Sequence, residues 1–356
     1  MPGKKVKWII GVTLATLLLV AGGSQVCFLL RYPYFREYAR INGVSLSQAR
    51  DAWGHPNEIS EVAMGLAVEA SRENWEAVAR IAAVDRQSEV GTYYYNLANA
   101  MNGELANRLM DYYQPFERGL FLPVGEKSQP FVIACASDVW FALGEMAMAE
   151  RDAMLGMLFS PAHNGSRYLK RLAETNLVTG NYEAASKYLR MLANSPADRE
   201  WALERFPEAS WSPEYRERIE RKRALLPRFD VVHGMDQTQL TLRVLLNSNP
   251  SNKMALDYLL CYDLLTKDLD AFVADYAPSL TSSRLYEEAM LIFLAAKGGM
   301  NEENFQHYNI RQETLERFTR FVSIYQRDNG SSKNLTEEFG KTYWYYFYFA
   351  ARNEKS

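Results

Sequence analysis

The side chains that could do chemistry are scattered along this sequence and match no known catalytic pattern. The four histidines lie far apart: His55, His163, His233 and His307. None has a histidine partner at the i+3 or i+4 spacing that a metal site on a helix needs. The glycine-rich signatures of nucleotide binding and the Gly-x-Ser-x-Gly turn of serine hydrolases are absent. We therefore expect no metal site, no cofactor and no enzymatic activity.

Two pairs of carboxylates stand close enough in sequence to act together, Glu287 with Glu288 and Asp268 with Asp270. Both pairs fall at turns or helix starts, where the helix dipole favours acidic side chains. The sequence favours this structural role. An enzyme would need two carboxylates that converge in one deep cleft, which is a property of the fold.

The best candidate for binding is a row of polar side chains in TYYYNLANAMN, residues 92–102. On a helix, Tyr95, Asn99 and Asn102 share one stripe and Asn96 lies beside it. Polar side chains on the first helix of a repeat line the concave surface on which helical-repeat proteins bind peptides. The alternative is that the asparagines make helix caps and turn contacts while the tyrosines pack.

Seven consecutive aromatic residues, Tyr343 to Phe349, form a second candidate near the C-terminus. On a helix they would cover every side, so a sugar-stacking platform or a contact with a membrane interface is conceivable. The sequence favours a terminal helix buried against the last repeat, because the ends of a helical array must be sealed.

Helical periodicity runs through almost the whole chain after residue 45, and no run of alternating β-branched residues indicates a strand. This predicts an all-α fold. The helices pair across short turns into hairpins of about 30 residues, which is typical of an α-α superhelix, with an antiparallel bundle as the alternative. The predicted hairpins span residues 57–85, 90–114, 137–159, 165–196, 249–280 and, less regularly, 283–327.

The clearest hairpin contains TGNYEAASKYLRML, residues 179–192. Gly180 would turn the chain, while Ala173 on the first helix and Ala184 or Ala185 on the second would let the two helices approach closely. This pattern, with Pro196 after it, resembles the tetratricopeptide repeat. The other hairpins match only in part, and the one at 137–159 has no turn glycine where one is wanted.

The hairpins fall into two groups. The first spans residues 57–196, and the second spans 249–350 and ends in the aromatic helix. Charges and prolines mark residues 197–248 as a linker between the groups. Residues 31–56 read as a connector and 351–356 as a tail.

The N-terminus predicts a membrane segment. Residues 1–7 are basic, and the 23 residues from Trp8 to Leu30 carry no charge. At about 1.5 Å per residue they span roughly 34 Å, enough for a hydrocarbon core of about 30 Å. A signal peptide cut near VAGGS is the alternative. A second apolar stretch, residues 131–149, contains Asp138 and Glu145, so we expect a buried core helix there.

Composition fits an ordinary globular chain. Of 356 residues, 48% are hydrophobic and 23% charged, and the net charge of −3 gives no general attraction to nucleic acid. The basic residues on the two sides of Trp8–Leu30 tie in number. A short basic head before a long domain nevertheless favours a single-pass membrane protein with residues 31–356 outside the cytoplasm.

Four segments together resemble an uncharacterised family of Bacteroidetes membrane proteins that carry a tetratricopeptide-like region near the C-terminus. They are YYYNLANAMNGEL, LVTGNYEAASKYLRML, LLNSNPSNKMALDYLLCYDLLTKDLDAF and EEFGKTYWYYFYF. The resemblance covers roughly residues 50 to 350 and implies a helical-repeat fold at a membrane. Many members have several membrane spans, whereas this chain has one predicted span.

These observations predict a membrane-anchored, non-catalytic scaffold that binds a protein or peptide partner in the cell envelope. Tyr95, Asn96, Asn99 and Asn102 are the predicted contacts. The alternative is a glycan-binding helical-repeat protein, since the chain contains 22 tyrosines and 7 tryptophans.

Overall fold

The described part of the chain is entirely helical. The structure is a computed structural model, and the residues that it describes are 31–84, 88–125, 128–206, 208–228 and 237–351. Its regular elements there are α-helices and short 3-10 helices without any strand, which confirms the all-α class. No helix in these ranges is long and apolar enough to cross a membrane. The predicted span Trp8–Leu30 lies outside the described residues.

The first group begins with two helices and continues through four hairpins. The two helices are α1 (Pro33–Ile41) and α2 (Leu46–Trp53). Hairpins 1 to 4 are α3 (Glu58–Ser71) with α4 (Trp75–Ala82), α5 (Glu89–Met101) with α6 (Leu105–Arg108), α7 (Pro130–Leu143) with α8 (Met146–Phe159), and α9 (Ser166–Thr179) with α10 (Tyr182–Ala193).

The stretch predicted as a linker is itself largely helical. It holds α11 (Arg199–Leu203), α12 (Pro213–Arg223) and α13 (Thr238–Ser248). Helices α11 and α12 lie against hairpin 4, where the Arg205 guanidinium stacks 3.9 Å from the Trp201 ring centre and 4.8 Å from that of Tyr215. Helix α13 packs against the first helix of the second group.

The second group contains two hairpins and three further helices. Hairpins 5 and 6 are α14 (Lys253–Thr266) with α15 (Leu269–Asp275), and α16 (Arg284–Lys297) with α17 (Glu302–His307). The further helices are α18 (Gln312–Arg327), α19 (Thr336–Phe339) and α20 (Tyr343–Phe349). The sequence prediction passed directly from α16 to α18 and missed the short α17.

The same turn joins the two helices in all six hairpins. A backbone amide just after the first helix donates to the carbonyl five residues earlier, at 2.8–3.0 Å. The donor–acceptor pairs are Asn74–Glu69, Glu104–Asn99, Glu145–Trp140, Asn181–Asn176, Asp268–Asp263 and Gly299–Leu294. The residue before each donor has a positive φ, which is the backbone conformation that ends a helix in this way.

Hairpin 3 corrects a sequence prediction. The sequence predicts no turn glycine where hairpin 137–159 needs one, but Gly144 ends α7 with a φ of 95°. The error arose because α7 starts at Pro130, seven residues before Ser137, where the predicted hairpin begins. The run 131–149 is largely buried as expected, yet it forms two helices rather than one.

The second group packs on hairpin 2. Helix α14 contacts α5, α6 and the 3-10 helix Phe116–Gly119, and α16 contacts α6. Phe121 joins the groups, with its ring centre 4.7 Å from that of Trp140 and 5.4 Å from that of Tyr258. One hydrophobic core cluster therefore runs from α1 to α20.

The aromatic C-terminal helix is mostly buried, as the sequence favoured. Tyr343 and Trp344 have no exposed surface, whereas Tyr348 keeps 42% of its surface exposed. The ammonium group of Lys267, in the turn of hairpin 5, donates to the carbonyls of Phe347 and Ala350 at 2.7 and 2.6 Å. This lysine satisfies the end of α20 and fixes the helix to hairpin 5.

Two glycine substitutions should separate backbone strain from steric overlap. At Gly180, a Cβ would have no neighbour within 4 Å, so Gly180→Ala should lower the free energy of unfolding by only about 1 kcal/mol. At Gly144, a Cβ would overlap the Leu225 side chain and lie 2.9 Å from its carbonyl oxygen. Gly144→Ala should therefore cost about 3 kcal/mol. Urea unfolding checks both values, and equal losses would contradict the assigned turn geometry.

Candidate functional site

A cleft of about 730 Å³ opens where hairpin 6 meets hairpin 2. One wall comes from α6 and the 3-10 helix Leu109–Asp111, including Asn107 and Asp111. The other comes from the start of α16, the first turns of α18 and the loop before α18. Segments about 180 residues apart in sequence thus form one site.

The carboxylates Glu287 and Glu288 stand at the floor of this cleft. They lie in the first turns of α16, whose N-cap Ser283 accepts a hydrogen bond from the Tyr286 amide. This is the helix-start position predicted for them. The structure adds burial, because only 6% of Glu287 and 2% of Glu288 is exposed.

Glu287 is fully occupied by internal bonds. It accepts from the backbone amide of Arg311 at 3.1 Å, from the Arg311 Nε at 2.7 Å and from the Thr314 hydroxyl at 2.6 Å. These bonds tie the start of α18 to α16. Glu287 therefore builds one wall of the cleft and has little capacity left for a ligand.

Glu288 is only half satisfied. Its Oε2 accepts the Tyr343 amide at 2.7 Å, and its backbone carbonyl accepts the Trp344 indole N–H at 2.9 Å. Its buried Oε1 receives no hydrogen bond, although the Arg284 Nε lies 3.3 Å away. Burial raises the pKa of Glu288 to about 7, against the opposing effects of the Tyr343 amide and two arginines.

Cations line the walls above this floor. Arg317, half-buried on α18, makes no hydrogen bond or ion pair with any described residue. Lys341 is exposed and lies 3.7 Å from Asp111 on the opposite wall, a distance too long for a hydrogen bond. The cleft thus offers an unpaired guanidinium beside a buried oxygen that lacks a donor. This arrangement suits a ligand that carries both an anionic group and a hydrogen-bond donor.

Sequence reasoning missed the cations of this cleft. Arg284, Arg317 and Lys341 belong to different elements, and nothing in their local sequence marks them. The adjacent Glu287–Glu288 pair was the available signal, although adjacent acids at a helix start can also both be exposed, as Glu302 and Glu303 are. In the second pair, Asp268 is the N-cap of α15 and Asp270 lies in its first turn, and neither lines the cleft.

The predicted polar stripe is divided between the interior and the surface. Asn96 is fully buried and donates to Gln114 Oε1 and the Gly119 carbonyl, both at 2.9 Å. Asn99, 7% exposed, donates to the Tyr95 carbonyl. Tyr95 is half-buried and stacks on Tyr112, and Asn102 is exposed at the end of α5.

None of the four stripe residues lines the cleft. Their part in binding a partner stays a prediction, and Asn102 with the outer edge of Tyr95 is what a partner could reach without opening the fold. Elsewhere in the described ranges, no His, Cys, Asp and Glu side chains are grouped to hold a metal ion.

Asn96 and Asn102 provide a matched pair of substitutions. Asn96→Ala would leave Gln114 and the Gly119 carbonyl buried without their donor, so it should lower the free energy of unfolding by about 2 kcal/mol. Asn102→Ala, at an exposed position, should change it by less than about 0.5 kcal/mol. Chemical denaturation measures both. A near-neutral Asn96→Ala would contradict a structural role for this side chain.

Glu288 should make the stability depend on pH. Its folded pKa of about 7 lies above the ordinary 4.5, so the folded chain holds this proton more tightly than the unfolded chain. The resulting stabilisation is full below about pH 4.5 and is lost as the pH rises through 7. Glu288→Gln keeps an acceptor for the Tyr343 amide and should remove about 3 kcal/mol of this pH dependence. Urea unfolding of both proteins across this range tests it, and parallel pH curves would refute the assignment.

The comparisons with known proteins identify a family but no activity. No curated protein and no solved structure matches the chain. One family model does match, described as "Family of unknown function (DUF6057)", and it covers residues 4–350. The expectation that the chain belongs to an uncharacterised family is thereby confirmed. With nearly its whole length matched, the chain belongs to the family of unknown function DUF6057.

Proposed function

We propose that this protein is a non-catalytic scaffold that binds a protein or peptide partner through the cleft between hairpins 2 and 6. The observation that carries the proposal is the unpaired Arg317 beside the half-satisfied, buried Glu288 in an open cleft of about 730 Å³. A cleft of this size accommodates a few residues of an extended chain. Its polar groups are fixed by packing, as a recognition site requires.

A binding role fits the two carboxylates better than catalysis does. General acid–base chemistry needs a pair of groups that can both reach a substrate. Glu287 spends its oxygens on Arg311 and Thr314, so Glu288 would act alone. This leaves a recognition site as the simpler interpretation.

The proposed scaffold is a degenerate array of tetratricopeptide-like hairpins. The shared turn of the six hairpins and their repeated helix–turn–helix layout support this assignment. The second group departs from a simple stack, because it packs on hairpin 2. That departure creates the cleft, so the irregularity of the array and the proposed site have one origin.

The proposed location is the envelope of a Bacteroidetes bacterium. Trp8–Leu30 would anchor the chain as a single pass in the inner membrane, with the helical region in the periplasm. The basis is the uncharged N-terminal segment together with the resemblance of the hairpin sequences to membrane proteins of these bacteria.

A glycan is the alternative ligand. Sugars are usually held by the faces of accessible aromatic rings. The aromatic residue that lines this cleft, Trp344, has no exposed surface. The cleft therefore favours a peptide over a sugar.

Site-specific photo-crosslinking in cells of the source bacterium tests the proposal. A benzoylphenylalanine at Asn107, on the cleft wall, should form a covalent adduct whose mass spectrum identifies a polypeptide. Benzoylphenylalanine placed instead at Lys187 should form no adduct. The Lys187 side chain is 67% exposed on α10, outside the cleft. Equal adducts from both positions would count against the cleft, and a carbohydrate adduct at Asn107 alone would favour the alternative.

A further inference from the structure

We infer that the ligand of the cleft is a peptide segment bearing a carboxylate, held so that the carboxylate meets Arg317 while a neighbouring N–H meets Glu288 Oε1. This inference rests on the proposed function and adds the chemical class of the partner. Two separate observations carry it, one for each half of the ligand.

The first observation is the state of Arg317. It is half-buried in the cleft wall and makes no ion pair with any described residue, whereas Arg311, nearby in the same cleft, is bound to Glu287 at 2.7 Å. A guanidinium presents two parallel N–H groups that match the two oxygens of a carboxylate. Arg284 and Lys341 also line the cleft, but each lies near a carboxylate, Glu288 at 3.3 Å and Asp111 at 3.7 Å. An anionic group is therefore the natural occupant of this part of the cleft.

The second observation is the state of Glu288. Its Oε1 is buried and receives no hydrogen bond, while its other oxygen is held by the Tyr343 amide. A group that approaches from the cleft and donates one hydrogen bond would complete this carboxyl group. Because Arg284 lies 3.3 Å away, a neutral N–H suits the position better than a second cation.

A carboxylate-bearing peptide supplies both groups at a short, fixed separation. In an aspartate, a glutamate or a C-terminal residue, a backbone N–H lies within a few bonds of the carboxylate. A neutral sugar would satisfy Glu288 with a hydroxyl but would leave Arg317 unpaired. A divalent metal ion is disfavoured because no three carboxylates of the lining are grouped to ligate it, although its four cationic side chains are matched in number by Asp111, Glu287, Glu288 and Glu313.

The test is selection from random dodecapeptide libraries against the full-length protein in detergent. One library displays peptides with a free C-terminus, and the other fuses the C-terminus to the carrier. Enrichment of Asp and Glu in both libraries would assign a side-chain carboxylate, and enrichment in the free format alone would assign the terminal carboxylate. Either result supports the inference.

Three variants test whether the selected peptides bind at Arg317 and within the cleft. Arg317→Gln should weaken the binding of the selected peptides at least about tenfold, as measured by fluorescence anisotropy. Arg320→Gln should not weaken them, because Arg320 lies on the same helix outside the cleft and pairs with Glu338 at 2.9 Å. Asn107→Trp fills the cleft from the opposite wall and should abolish binding. Matching melting temperatures for the three variants exclude a loss caused by unfolding.

The outcomes separate the inference from the function on which it rests. Selected peptides that lack carboxylates, bind equally to Arg317→Gln and are lost with Asn107→Trp would overturn the inference and leave the peptide-binding cleft standing. If no selected peptide responds to Asn107→Trp, the proposed function fails as well.

Discussion

The backbone hydrogen bond that closes each hairpin is the interaction on which the rest of this structure depends. It joins the amide after a left-handed residue to a carbonyl near the end of the preceding helix, and it is present at all six hairpin turns. The bond satisfies a carbonyl that the helix end would leave without a partner and reverses the chain within a few residues. Short turns bring the paired helices together, so apolar residues on both can share one core.

The turn also explains polar residues that, in the sequence, resemble a binding surface. The acceptor carbonyl belongs to Asn99 in hairpin 2 and to Asn176 in hairpin 4. Each of these buried asparagines also donates its side-chain amide to the carbonyl four residues earlier, Tyr95 or Leu172. Asn99 thus donates within its own helix, whereas Asn176 also donates to Glu150 on α8 at 2.7 Å. Part of the polar stripe in TYYYNLANAMN serves the turn, which is a structural cause for residues that periodicity alone presents as a binding surface.

Glycine is not required at every such turn, and the exceptions are informative. Glu73 and Lys267 adopt the left-handed conformation with φ of 56° and 63°, which costs about 1 kcal/mol or more for a residue with a side chain. At Lys267 the cost is offset, because the same side chain donates to two carbonyls at the end of α20. A turn residue of hairpin 5 thereby holds the C-terminal helix, and a glycine there would relieve the strain while losing that contact.

The sequence predicts the features of this fold that depend on nearby residues. It does not predict the contacts between segments that are far apart in the chain. Helix periodicity and turn residues such as Gly180 identify hairpins because both signals lie within about 30 residues. The same reasoning failed for hairpin 3, where Ser137 and Asp138, in the middle of α7, resemble the start of a helix. Nothing local states that α16 packs on α6, and the cleft exists only because of that contact. Glu287 and Glu288 could be placed at a helix start from sequence. Their convergence with Arg317 follows from the packing of α18 on α16, and the opposite wall of the cleft follows from the docking of the second group on hairpin 2.

The floor of the cleft links recognition to the integrity of the C-terminal end. One oxygen and the backbone carbonyl of Glu288 hold Tyr343 and Trp344, the first two residues of α20, while the other oxygen is left without a donor. A neutral amide at this position could accept the same bond from Tyr343 without the cost of a buried charge. Holding α20 in place therefore explains one oxygen of Glu288, but it does not explain why the residue is a carboxylate. The second oxygen lies beside an open cleft and receives no hydrogen bond. A ligand that donates one hydrogen bond there would satisfy this oxygen, which would explain the carboxylate.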